Sequence, residues 1–249
     1  MTPLLRIRDV SKVYPDGNSK IVVFESASLE VESGAHVGVY GKRRSGKSTL
    51  MRIASGIDRP DAGSVMFDGN DLTCMSGRAL ARLLRRKLAY VAVNDWRPNP
   101  GESVAQHLAV SLGGDGLTVR QAERTALREL DFVGVSAAQA HSQATQLSMV
   151  DRTRVMFARA LARKPWLVVI DDPVLTPSAT ERDNLYKLIR AGAHERGAAL
   201  LVASEDFAAL QGFDTIMSIS ARELCSSDAN ATVVQFPKPL LDPIRDAGS

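Results

Sequence analysis

Cysteine is almost missing from this chain, with only Cys74 and Cys225 in 249 residues. Two cysteines so far apart make neither a disulfide framework nor a metal-ligand spacing, which agrees with a reducing compartment. No apolar run approaches the ~18 residues of a membrane helix. The first nine residues also lack a signal-peptide layout. A cytosolic protein is expected, one that would work at a membrane only through another chain. Strong charge is missing too: a net +3 is small for this length, so electrostatics alone do not argue for nucleic acid. Arg78, Arg82, Arg85, Arg86 and Lys87 do cluster, and read as a solvated helix face.

What is present suits one sizeable soluble domain or two small ones, with 45% hydrophobic and 24% charged residues. The most informative stretch is Gly41-Lys-Arg-Arg-Ser45-Gly46-Lys47-Ser48-Thr49, which fits the phosphate-binding loop G-x-x-x-x-G-K-[ST]. An alternating apolar run precedes it over residues 36–40, and a helical segment follows over 47–55. A strand must deliver such a loop, and a helix N-terminus must face the phosphates. Backbone N–H groups then cradle the phosphates, Lys47 reaches the β- and γ-phosphates, and the Ser48 hydroxyl ligates Mg²⁺. ATP or GTP binding follows from this motif.

Strand-like alternation appears over residues 5–8, 21–24, 28–31 and 64–67, punctuated by Gly17, Gly34, Gly63 and Gly69. Residues 88–93, 166–170 and 198–203 are near-continuous apolar runs, as in strands buried on both faces of a parallel sheet. Ser178-x-x-Glu181 and Thr118-x-x-Gln121 are capping boxes that open helices. Residues 95–148 hold helices and no clear strand, an all-helical insertion in an α/β core. The end of the chain, 225–249, reads as an extended tail, either disordered or docking through Val233, Val234 and Phe236. A carboxylate is also needed at the end of a buried strand. Residues 167–170 lead into Asp171 and Asp172: Asp171 is the Mg²⁺ partner, and Asp172 is placed to act on an attacking water.

With these residues in view, the chain resembles the ATP-binding-cassette ATPases over residues 4–222. Residues 4–14 look like the family's first strand, which makes Tyr14 the candidate adenine platform. Residues 63–69 are similar to its antiparallel hairpin, and residues 80–91 look most like the lipoprotein-release and macrolide-export branch. The resemblance implies a P-loop NTPase core with a mostly parallel sheet and flanking helices, an antiparallel β subdomain, and a helical subdomain at about 95–155. The nucleotide-binding domain would span 1–224. It also implies ATP and Mg²⁺ as cofactors, a membrane permease and a second nucleotide-binding subunit as partners, no nucleic acid, and a place on the cytoplasmic face of the membrane.

Several family positions are occupied unusually. The signature L-S-G-G-Q reads Leu147-Ser148-Met149-Val150-Asp151, so Ser148 survives while side chains fill the gap where bare backbone should approach a phosphate. Asp172 stands where Glu is usual, and a catalytic group displaced by ~1 Å can cost about 10²-fold in rate. Glu205 replaces the His of the following loop, where it either repels the nucleotide or points away and leaves the position empty. The Mg²⁺-sensing Gln falls on Val93 or Asn94, and a dimer-contact Asp falls on Ser178. Arg44 replaces a loop glycine, tightening nucleotide binding or decorating the rim. Gly41, Gly46, Lys47, Ser48 and Asp171 are intact, so binding is expected with weak or absent hydrolysis. A heterodimer is expected, because two copies would set weak signatures opposite weakened carboxylates. The permease contact is expected near residues 95–100, with Trp96 either an anchor or packed on its own subdomain.

Overall fold

The two kinds of strand pattern become two sheets. The computed structural model describes residues 2–17, 19–113, 116–173, 178–220 and 223–226. The alternating strands form an antiparallel sheet: β1 (Leu5–Asp16) lies between β2 (Ser19–Val31) and β4 (Ala62–Phe67), and the short β5 (Asn70–Asp71) pairs with β4 at the edge. The runs expected at 21–24 and 28–31 are one strand. The register slips between Val10–Ala27 and Lys12–Phe24, so the buried phase moves from Phe24 to Ala27, Leu29 and Val31. A bulge interrupted the alternation there, not a turn.

The continuous apolar runs, together with the alternating run at 36–40, form the second sheet, in the order β10-β9-β3-β8-β7-β6. β3 (His36–Gly41), β6 (Leu88–Ala92), β7 (Leu167–Asp171), β8 (Ala199–Ser204) and β9 (Thr215–Ser220) are parallel, and β10 (Glu223–Ser226) is antiparallel to β9. The period of two divides each strand between two cores. Val168, Ile170, Leu200 and Val202 face the helical side. Leu167, Val169, Leu201 and Ala203 face the antiparallel sheet and α1 (Lys47–Ala54). β9 escapes a sequence reading because Thr215, Ser218 and Ser220 break up its apolar residues. Beyond Ser226, the tail with Val233, Val234 and Phe236 lies outside the described residues.

After α2 (Gly77–Lys87) and β6 comes the helical insertion: α3 (Val104–Leu112), α4 (Val119–Phe132), α5 (Ala137–His141) and α6 (Met149–Leu161). Val104, Leu108 and Leu112 on α3 recur at helical spacing and meet Ala122, Ala126 and Leu130 of α4 in one core. Thr118 and Gln121 make both halves of the capping box. Ser178 caps α7 (Ala179–Glu195), accepting from the Glu181 N–H. Trp96 is 7% exposed; its Nε1–H donates to Ala144 O at 3.3 Å and its ring meets His107 edge-on. It holds its own subdomain together and offers no anchor to a partner.

Candidate functional site

β3, β8 and β7 are neighbours, so their C-terminal ends lie side by side. That topology carries the loop after Gly41, Glu205 after β8, and Asp171–Asp172 after β7 to one edge of the sheet, where open α/β sheets place ligands.

The loop between Gly41 and Lys47 has the backbone of a phosphate cradle. Gly46 sits at φ 102, and a Cβ there would lie 2.8 Å from Val23 and 2.9 Å from Phe24. A Cβ on Gly41 would collide with Ser45 Oγ. Arg44 takes a left-handed φ of 62, which glycine would adopt without strain. Lys47 folds back over the loop, 6% exposed, its Nζ donating to Gly41 O (2.7 Å) and Lys42 O (2.9 Å). Gly46 caps α1 with no side-chain bond, and no acidic residue stands in its first turn. The first N–H groups of α1 therefore remain available to an anion. Ser45 Oγ is buried with no hydrogen-bond partner among the described residues. An orphaned hydroxyl inside a cationic loop fits a phosphate oxygen.

This loop opens into a cavity of about 610 Å³, lined by Tyr14, Arg43, Arg44, Ser45, Gly46, Lys47, Ser48 and Thr49, with Asp172 and Glu205 on the same wall. Arg44 is thus on the cavity itself. The Tyr14 hydroxyl donates to Asp58 Oδ2 at 3.1 Å, and Arg52 clamps both oxygens of Asp58. The ring of Tyr14 is held in the cavity lining by that chain of contacts.

Ser48 Oγ donates to Asp171 Oδ1 at 3.1 Å, bringing together the two oxygen donors expected for Mg²⁺. A hydroxyl, one carboxylate and room for water and phosphate oxygens match the preferences of that ion. Tyr90 donates to Asp171 Oδ2 at 3.3 Å and fixes the carboxylate from the far side. Sequence reasoning missed Tyr90, because only the pairing of β6 with β7 reveals it. Burial raises the Asp171 carboxyl above its ordinary range, against the opposing hydrogen bonds from Ser48 and Tyr90. Asn94, the other expected metal residue, lies in the tight turn at Val93–Asp95 that follows β6, where it is exposed.

Asp172 adopts a left-handed φ of 46, with its N–H donating to Ala203 O at 3.2 Å. Burial first, and then the Glu205 charge, push its carboxyl up to about 6, with Lys47 opposing. The fold therefore binds that proton more tightly than the unfolded chain does. Ionised Asp172 costs stability, a cost absent below the unfolded value and fully present once pH has risen through about 6. Asp172→Asn, whose side chain also tolerates the left-handed region, is expected to raise the melting temperature of the nucleotide-free chain in mild alkali. The gain should disappear as pH falls below about 4, which melts across a pH series would show.

Glu205 does not point away. Its Oε1 lies 3.6 Å from Lys47 Nζ. Ser148 does not line this cavity; it stands at the N-terminus of α6, where its hydroxyl accepts from Asp151 N–H (3.1 Å) and donates to Asp151 Oδ2 (2.8 Å). Gln139 and Arg154 also hold Asp151, so the helix end is capped from within, with Met149 39% exposed beside it.

Comparison with known proteins agrees with this geometry. The ABC transporter family description matches residues 24–175. The chain is similar to the lipoprotein-releasing system ATP-binding protein LolD of Hyphomonas neptunium, 32% identical over 90% of this chain and 97% of the relative. The LolD protein of Shewanella frigidimarina is 32% identical over 95% of both chains. An uncharacterized ABC transporter ATP-binding protein of Thermotoga maritima is 30% identical over 83% of this chain and 87% of its own. Among solved structures, a dimeric post-hydrolysis state of the ATP-binding cassette MJ0796 with ADP and Pi superposes with a TM-score of 0.80. It is 22% identical, covering 88% of this chain and 96% of its own. A nucleotide-free cassette from an ABC transporter gives 0.74 at 18% identity, over 90% of each chain. At those identities the structures speak for the fold alone.

Proposed function

The chain belongs to the ABC transporter family, and on that footing we propose that it is the ATP-binding subunit of a membrane transporter of the lipoprotein-release type. The observation that carries this is the meeting of Lys47, Ser48 and Tyr14 around one cavity, with Asp171 bonded to Ser48 and an orphaned Ser45 hydroxyl in the loop. MgATP, when bound, supplies the phosphoanhydride whose cleavage drives transport. The chain's own part is to hold it. Lys47, Ser45 and the N–H groups of α1 would take the phosphates, Ser48 and Asp171 the Mg²⁺, and Tyr14 the base. Asp172 would accept a proton from water.

Slow turnover follows from the shorter Asp172 and from Met149–Val150 at the self-capped end of α6. An ATPase with full turnover fits the intact Lys47, Ser48 and Asp171 equally well. The same end of α6 favours a partner subunit of different sequence. Among the described residues no helix is long and apolar enough to cross a membrane, so attachment at its cytoplasmic face would run through a permease. A groove of about 1260 Å³ between α2 and the helical insertion suits that contact. It has Leu84, Leu88 and Leu117 along it and Arg82, Arg86 and Lys164 at its edges, which favours an acidic permease segment.

The test is to isolate the tagged chain from detergent-solubilised membranes and assay what accompanies it. A polytopic permease and a second cassette, with MgATP bound and slowly hydrolysed, are expected. Ribosomes, DNA-binding proteins or no partner would overturn the transporter reading. Brisk steady turnover abolished by Asp172→Asn would overturn only slow hydrolysis.

A further inference from the structure

Lys47 has three N–H donors, and two are committed to Gly41 O and Lys42 O. Its remaining charge faces Glu205, whose Oε1 stands 3.6 Å away, an ion-pair contact on the cavity wall beside Asp172. The carboxylate is presented there by a braced turn. Ser204, before it, is 2% exposed and receives hydrogen bonds from Tyr186 OH (2.8 Å) and Asp206 N–H (3.0 Å). Asp206, after it, pairs with Arg182 and accepts from the N–H groups of Ala208 and Ala209. Glu205 therefore has its backbone fixed on both sides and its charge aimed at the loop lysine.

Resting on the nucleotide-binding reading above, we propose that Glu205 is a built-in counter-ion of Lys47 that makes this site discriminate against nucleoside triphosphates in favour of diphosphates. A phosphate seeking the outer side of Lys47 must displace Glu205 or lie against it, with Asp172 adding a second negative charge to that wall. The penalty falls on the last phosphate of a triphosphate, which brings the additional charge. A diphosphate can use the loop N–H groups and the Ser45 hydroxyl with less opposition, without displacing Glu205 from the lysine. The sequence places a glutamate in this loop; only the fold shows that it has taken the lysine.

The test is to measure dissociation constants for MgADP and MgATP by calorimetry on the full chain and on Glu205→Gln, an isosteric change at a side chain one-third exposed. Glu205→Gln is expected to tighten MgATP by about fivefold, with MgADP within about twofold, since a part-exposed charge contact is worth at most about that much. Raising salt should narrow the gap between the two nucleotides in the wild-type chain and change it much less in the variant. An ATP-to-ADP ratio that does not move in Glu205→Gln overturns the proposal, while nucleotide binding itself still stands. Failure of the wild-type chain to bind either nucleotide overturns both. Glu205→Asp, which keeps the charge on a shorter arm, should fall between the wild-type and Gln chains; a ratio as relaxed as the Gln chain's would show that charge is not the discriminator.

Discussion

Lys47→Ala is expected to weaken MgATP binding by about 100-fold or more, measured by calorimetry, while the circular dichroism spectrum stays unchanged. The amine is the one buried cation of the phosphate loop, and a single charge-assisted contact to phosphate is worth up to about 3 kcal/mol. Two further consequences separate this lysine from a merely structural one. Gly41 O and Lys42 O lose their donor, so the loop should show faster amide exchange. Glu205 also loses its counter-ion, so Lys47→Ala combined with Glu205→Gln should recover part of the lost affinity. Unchanged affinity in Lys47→Ala would remove the nucleotide site from this loop altogether.

The largest effect on stability is expected from Glu129→Ala. Glu129 is 1% exposed on α4 and accepts from Arg196 Nη2 at 2.8 Å, just past the end of α7. Arg128 shares it, and the Arg196 guanidinium also lies 4.6 Å over the Phe132 ring. The pair thus ties the helical insertion to the core. Truncating the buried member leaves a part-exposed guanidinium uncompensated and costs about 3 kcal/mol, the low end of the range for a fully buried pair. At this chain length that corresponds to a melting temperature lower by roughly 10 °C. Replacing both partners by apolar residues of similar volume, as in Glu129→Leu with Arg196→Met, should recover most of the loss. A melting temperature of Glu129→Ala within a degree of wild type would show that water enters and solvates Arg196.

Both residues stand in plain view in the sequence, but only one advertises its role. Lys47 belongs to a pattern of contiguous residues whose spacing is the function, because a strand, a glycine loop and a helix N-terminus are built locally. Glu129 looks like any acid on an amphipathic helix, and its partner is 67 residues away. The same division runs through the rest of the fold. The capping pairs Thr118–Gln121 and Ser178–Glu181 could be read directly, as could the parallel strands at 88–93, 166–170 and 198–203. β9 could not, since hydroxyl residues interrupt its alternation.

What the sequence alone determined is the set of local devices: the phosphate loop, the buried strand ending in Asp171–Asp172, and the helical insertion. Each follows from hydrogen bonding and periodicity within a few turns of chain. The tertiary structure decided which of these devices meet. Placing β8 between β3 and β7 brings Glu205 to Lys47 and sets Asp172 beside them, while β6 beside β7 delivers Tyr90 to Asp171. Trp96 turned inward for the same reason, because the cavity it fills is formed by α3 and the segment before α6. Strand order and helix packing are set by the total burial of the chain, and no short window of sequence contains them.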